Sequence, residues 1–290
     1  MKIATSFLVA SVSLLAACSG AGDASFGDEA GATNDTNETS EQALGKPRAS
    51  LDHPDFVRKM RDPANYRVNR EPGAQESICG IDDLQHVNSY TGTLGVSVAF
   101  VNAHKRPVGA METSPTSGKY CSGTLITSTL FLTAGHCVDS TTVGDYVSFN
   151  YELNAAKTAL LAQSHYQITG IVEDSLGGLD YAIVRLANNP GATWGTTASL
   201  ATDPAVGATL AILQHPNGEP KQIEAGTLAS ISGNYLRYGN IDTEPGSSGS
   251  GILNSAGRLV GVHTNGGCTA SGGTNSGVRM SKIAAVSGIL

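Results

Sequence analysis

From Ser77 to the C-terminus the chain contains no long apolar segment. Short apolar runs instead recur between turns of Gly, Asn, Asp and Ser, at 95–101, 123–132, 146–151, 167–172, 181–186, 209–213, 226–231, 251–253 and 258–262. The runs are rich in Val, Ile, Thr, Phe and Tyr. Branched and aromatic side chains fit a pleated, half-buried surface better than a helix. Their spacing predicts an all-β sandwich or barrel, and only 281–290 reads as a closing helix. Charged residues make up 15% of the chain and glycines number 35 of 290. That composition suits tight turns and excludes a coiled coil or helical bundle, which needs abundant Lys, Glu and Leu. With 18 basic against 25 acidic residues, the net charge of −7 argues against a nucleic-acid partner.

Ahead of Ser77 the composition changes twice. Lys2 is followed by an apolar stretch over 7–17, too short to span a bilayer and of the right length for a signal-peptide core. It ends in Leu15-Ala16-Ala17-Cys18, small residues leading to a thiol. This resembles the lipobox of bacterial lipoproteins, so 1–17 is expected to be a lipoprotein signal peptide and Cys18 the lipidated residue. Residues 19–45 hold six acidic and no basic side chains and almost nothing apolar. Such a segment cannot bury enough surface to order itself, so 18–45 reads as an acidic tether. Residues 46–76, with Pro47, Pro54, Pro63 and Pro72 among seven basic and five acidic residues, read as a pro-segment or linker. The folded domain is expected to occupy 77–290. The expected location is the cell envelope, with the outer membrane as one option, or the exterior after processing. Cleavage near 71–77, with Glu71 and Glu76 as candidate sites, is expected to free the domain, which N-terminal sequencing of a secreted form would show.

Five cysteines are present, at 18, 79, 121, 137 and 268. Assigning Cys18 to a lipid leaves four, which allow three pairings. Cys121 and Cys137 flank one strand-turn-strand stretch. Bridging them leaves Cys79–Cys268 to tie the start of the domain to its end. Zinc is the competing use of cysteine, but there is no C-x-x-C and the Cys–His spacings are irregular. No metal and no cofactor are therefore expected.

Three segments carry reactive side chains. In Gly246-Ser247-Ser248-Gly249-Ser250, glycines flank a serine and let backbone N–H groups converge beside an exposed hydroxyl. A serine hydroxyl needs a base to become a nucleophile and donors to hold the resulting oxyanion. In Thr133-Ala134-Gly135-His136-Cys137, an apolar strand ends in small residues and a histidine beside a cysteine, a setting that holds a general base still. In Asp180-Tyr181-Ala182-Ile183-Val184, a carboxylate heads an apolar strand, a costly place unless it is paired. An imidazole N–H is such a partner. Asp139, Asp145 and Asp174 are alternative carboxylates, and His53, His86, His104, His165 and His215 are alternative histidines.

These three motifs, in this order and at separations of 44 and 68 residues, resemble those of chymotrypsin/trypsin-like serine endopeptidases. Cys121-Ser122-Gly123-Thr124-Leu125-Ile126 resembles the family strand whose Cys bridges to the Cys after the His. The similarity covers about 77–290. Within the family, Gly80-Ile81-Asp82-Asp83, 214–218, 243–250 and 261–264 look most like bacterial glutamyl and lysyl endopeptidases. The resemblance implies two six-stranded antiparallel β-barrels with the site in the cleft between them. It further implies a His136-Asp180-Ser248 triad and an oxyanion hole from the N–H groups of Gly246 and Ser248. Ser247 stands where trypsin-type enzymes carry an Asp that pairs with a freed N-terminus, an ion pair that Ser247 cannot make, so a zymogen is expected without that particular ion pair.

For substrate preference the resemblance points two ways. Asp242 occupies a position that favours Lys or Arg in trypsin-like pockets. Thr243 and His263 match positions that bind an acidic side chain in glutamyl endopeptidases, and Gly266 and Gly277 are expected to line the pocket. Acidic, basic and other preferences all remain open, with the acidic one favoured. Protein or peptide substrates, a monomeric state and no membrane contact beyond a lipid anchor are expected. Two other functions compete: a catalytically silent binding module on the same fold, and an esterase. The esterase fits poorly, because α/β-hydrolases order their triad Ser, Asp, His.

Overall fold

The computed structural model describes residues 77–290 except Leu200 and Ala270. The expected signal peptide, Cys18 lipidation site, tether and pro-segment lie outside the described residues, as do His53, Glu71 and Glu76.

The described chain is mostly strand. A two-residue β1 (Gln85–His86) precedes helix α1 (Val98–His104). Six strands follow: β2 (Val108–Glu112), β3 (Lys119–Leu125), β4 (Leu130–Thr133), β5 (Tyr146–Phe149), β6 (Ser164–Asp174) and β7 (Ala182–Leu186). They close into a barrel in the order β2-β3-β4-β7-β6-β5, every pairing antiparallel. Inside it Met111, Tyr120, Leu125, Phe131, Val147, Phe149, Ile168 and Val184 form one buried cluster. The ring of Phe149 meets Phe131 edge-on at 6.0 Å and stacks on Trp194 of helix α2 (Pro190–Trp194) at 5.8 Å.

The second half contains β8 (Thr209–Gln214), β9 (Gln222–Thr227), β10 (Ser230–Ser232), β11 (Tyr235–Tyr238), β12 (Gly251–Asn254), β13 (Leu259–Asn265), a β14–β15 hairpin (Cys268–Thr269, Gly272–Gly273), β16 (Asn275–Arg279) and helix α3 (Met280–Ile283). Where a second six-stranded barrel was expected, an eight-stranded sheet runs β1-β9-β8-β12-β13-β16-β11-β10. Among the described residues no ladder pairs its edge strands β1 and β10, which have two and three residues. Leu210, Ile212, Leu236, Tyr238, Ile252 and Val260 fill its interior.

Two local expectations are corrected. Residues 95–101 are not a strand. The Ser97 hydroxyl accepts the Phe100 N–H at 3.0 Å and caps α1, of which only Val101 is fully buried. The closing helix is four residues rather than ten, and the chain beyond it turns back to Glu173, which accepts from Ser287 and Gly288. Both expected disulfides are present: Cys121–Cys137 within the barrel, and Cys79–Cys268 across 189 positions. The latter restricts the unfolded chain most, because the loop it closes is long.

The two halves are also joined by buried charge. Glu152, just after β5, pairs with Lys221, just before β9, at 3.0 Å and with Lys105 at 2.9 Å. The Lys221 ammonium further donates to the Lys105 carbonyl at 2.8 Å. Burial alone would raise the Glu152 carboxyl, but the charges and hydrogen bonds of Lys221 and Lys105 outweigh it and hold the group down at about 2. A carboxyl whose folded-state value lies below its unfolded one stabilises the fold above the unfolded value and loses that contribution as pH falls. Stability is therefore expected to decline from about pH 5 towards pH 2, and Glu152→Gln is expected to flatten that decline in urea melts taken across the range.

Candidate active site

Three loop positions converge where the barrel meets the second sheet. His136 lies in the single turn Gly135–Cys137 that follows β4, and the Cys121–Cys137 bridge anchors that turn to β3. Asp180 immediately precedes Tyr181 and β7, and β7 pairs with β4 in register Thr133↔Ala182. That register brings the head of one strand beside the end of the other. Ser248 belongs to the tight loop before β12.

The geometry is that of a proton relay. His136 Nδ1 lies 2.8 Å from Asp180 Oδ2, and His136 Nε2 lies 2.8 Å from Ser248 Oγ. The other Asp180 oxygen accepts the His136 backbone N–H at 2.9 Å, so one carboxylate fixes both the ring and the main chain of the histidine. All three residues are buried. Gly135 has no side chain at a point where a Cβ would sit 2.5 Å from Ser175 Oγ and 3.1 Å from Asp180 Oδ1.

The serine loop is clamped from the barrel. The Ser122 hydroxyl of β3 donates to the Gly246 carbonyl at 2.8 Å and accepts the His215 N–H at 3.0 Å. The Ser122 N–H donates to the Ser248 carbonyl at 2.8 Å, and the Thr133 hydroxyl donates to the Ser122 carbonyl at 2.7 Å. The N–H groups of Ser247, Gly249 and Ser250 are spent on the carbonyls of Glu244, His263 and Ser247. Ser122 and Thr133 as braces were missed in the sequence, although both sit inside motifs read there. Nothing local marks Ser122 as the contact of a residue 124 positions away.

The alternative groups are engaged elsewhere. Asp139 accepts the Thr141 N–H at 2.8 Å within its own loop. Asp145 accepts the Tyr120 hydroxyl at 2.9 Å, and Asp174 accepts that of Ser175 at 2.7 Å. His215 stacks on Tyr151 at 5.7 Å with its Nδ1 on the Glu219 carbonyl. Burial, reinforced by the Lys221 charge, pushes its imidazole down to about 3, so it stays neutral.

Of the expected pocket residues, His263 is buried in β13 with Nδ1 2.5 Å from the Tyr238 hydroxyl. Thr243 is buried, and its hydroxyl has no hydrogen-bond partner among the described residues. Asp242 departs from expectation. Its carboxylate accepts the N–H groups of Cys79 at 2.6 Å and Asp83 at 3.3 Å, so it holds the N-terminal segment. Gly277 departs as well: a Cβ there would lie 2.3 Å from the Val262 carbonyl and 2.5 Å from Ile252, so its bareness serves strand packing. Gly266 is buried just beyond the end of β13.

The model of the trypsin-like peptidase domain matches residues 121–262, which contain all three converging side chains. The Secreted RxLR effector protein 73 of Plasmopara viticola is 26% identical over 216 residues, 68% of this chain and 52% of that protein. The chain thus spans about half the length of that curated relative. A solved structure of a Glu endopeptidase in complex with MPD superposes with a TM-score of 0.51 and 23% identity, covering 70% of this chain and 94% of that one, a likeness of fold. The family-model match over 121–262 and the superposition together give this chain the chymotrypsin/trypsin-like serine-protease fold.

Proposed function

We propose that the chain is an exported serine endopeptidase with Ser248 as nucleophile, His136 as general base and acid, and Asp180 as its orienting carboxylate. The observation that carries this reading is His136 held at 2.8 Å from both partners at once. Following the general triad scheme, Ser248 Oγ attacks the scissile carbonyl while His136 Nε2 takes its proton. Asp180 holds Nδ1–H and stabilises the imidazolium. The N–H groups of Gly246 and Ser248 receive the developing oxyanion, an interaction worth ~10²–10³ in rate per donor. His136 returns the proton to the leaving amine, and water then hydrolyses the acyl-enzyme by the same route.

Acidic side chains are the preferred substrate class in this reading. The Asp242 carboxylate is engaged by two backbone N–H groups, which removes the argument for a basic preference. The buried Thr243 hydroxyl and the His263 imidazole are the donors that would receive a carboxylate. A Glu endopeptidase is among the proteins that share this fold, which points the same way. Peptide-library profiling is expected to show cleavage after Glu or Asp. His263→Ala should lower kcat/KM for such peptides by about 10–10²-fold, the worth of a hydrogen bond to a charged group. Preferred cleavage after Lys or Arg would overturn the preference and leave the triad assignment standing.

A further inference from the structure

Besides the triad and its disulfide, the described residues gather a second set of ligating groups. Asp83, Glu224 and Asp242 bring carboxylate oxygens within 4.8 Å of one another. They come from the segment before β1, from β9 and from the loop ahead of Thr243. One Glu224 oxygen accepts the Ala225 N–H at 2.8 Å; the other is buried with no hydrogen-bond donor among the described residues. The charges acting on Glu224 are those of Asp83 and Asp242, both negative. Carboxylates packed in this way hold either a shared proton or a cation between them.

We propose that Asp83, Glu224 and Asp242 form a calcium-type divalent cation site that fastens the segment before β1 to the second sheet. The donor set is all oxygen, which selects a hard cation over zinc or copper. Two oxygens bound to one calcium ion at 2.3–2.6 Å lie at most ~5 Å apart, so the observed grouping fits around a single ion. Asp83 is exposed, so an ion can enter from solvent and keep waters to complete its coordination. The site adjoins the Cys79–Cys268 bridge and the Thr243 N–H, which donates to the Ser77 carbonyl at 3.4 Å. The ion thus holds the stretch lying against a pocket residue. The three ligands stand at 83, 224 and 242, and no spacing rule read from the sequence connects them.

The test uses the full chain, calcium chloride and thermal melting, a readout independent of proteolysis once a serine-protease inhibitor is added. Calcium ~100-fold above its Kd is expected to raise Tm by about 5–10 °C, reversibly with EGTA. Glu224→Gln replaces a potential anionic ligand with a neutral amide of the same size, so it should keep or raise the melting point without calcium and abolish the response. Asp83→Asn, on the exposed side, should weaken the response at least tenfold in calcium concentration and serves if the buried variant does not fold. No shift at millimolar calcium, or a shift unchanged in both variants, overturns the site without touching the triad.

Discussion

Asp180→Asn is expected to lower kcat by about 10⁴ while leaving the fold intact, the size of effect that this change has in triads of this type. An amide in place of the carboxylate keeps an oxygen for the His136 backbone N–H, now accepted at 2.9 Å by Oδ1. Its NH2 group then faces Nδ1, which lies 2.8 Å from Oδ2 in the native site. The imidazole must present a lone pair there and carry its proton on Nε2, directed at Ser248 Oγ. A ring already protonated at that position cannot accept the serine proton. Steady-state kinetics on a peptide substrate, with melting temperature as the control for folding, check this. Loss of activity with an equal loss of stability would mean that Asp180 is structural only.

The second large effect is expected at Gly249. Its φ is +88°, a region costly for residues with a Cβ, and it packs against the barrel at close range. A Cβ there would sit 2.2 Å from the Ser122 carbonyl oxygen, 2.2 Å from Thr133 Oγ1 and 2.8 Å from the Ala134 nitrogen. Two of those atoms are backbone and cannot swing aside. Gly249→Ala is therefore expected to destabilise the fold by about 3 kcal/mol or more, combining left-handed strain with overpacking. It should also abolish activity, because relief of the clash draws Ser248 away from His136. Gly207→Ala is the matched control. Its φ is +84° and nothing lies within 4 Å of its Cβ position, so it should cost only about 1 kcal/mol and leave kcat unchanged. Urea melts and kinetics on the two variants separate the backbone cost from the packing cost.

The parts legible in the sequence were those written locally. His136 beside Cys137, Asp180 at the head of an apolar strand and Ser248 between glycines each announced a chemical role within five residues. Strands such as β7 and β8 stood out because their buried faces are continuous runs of Val, Ile, Leu and Ala. Strand β16 did not, because its buried positions include the polar or bare Asn275, Ser276 and Gly277. Asn275 spends its amide on the carbonyls of Ser77 and Ile241. Helix α1 was hidden by Val96, Val98, Phe100 and Val101, which suggest a strand until the Ser97 cap is recognised. Asp242 was placed in the pocket by its position in the resemblance, and the fold adds that its carboxylate accepts the Cys79 and Asp83 N–H groups. The Ser122 brace and the Asp83-Glu224-Asp242 cluster depend on contacts across more than one hundred positions, which no local pattern records.

The most direct measurement of the central claim is covalent labelling by a fluorophosphonate probe, followed by mass spectrometry of the modified peptide. Such a probe reacts with a serine only when a neighbouring base activates it and nearby donors receive the developing charge. Labelling is expected on Ser248 alone, and to vanish in Ser248→Ala and in His136→Ala while both variants keep their melting temperature. A folded chain that takes no label, or that is labelled equally well without His136, would contradict it.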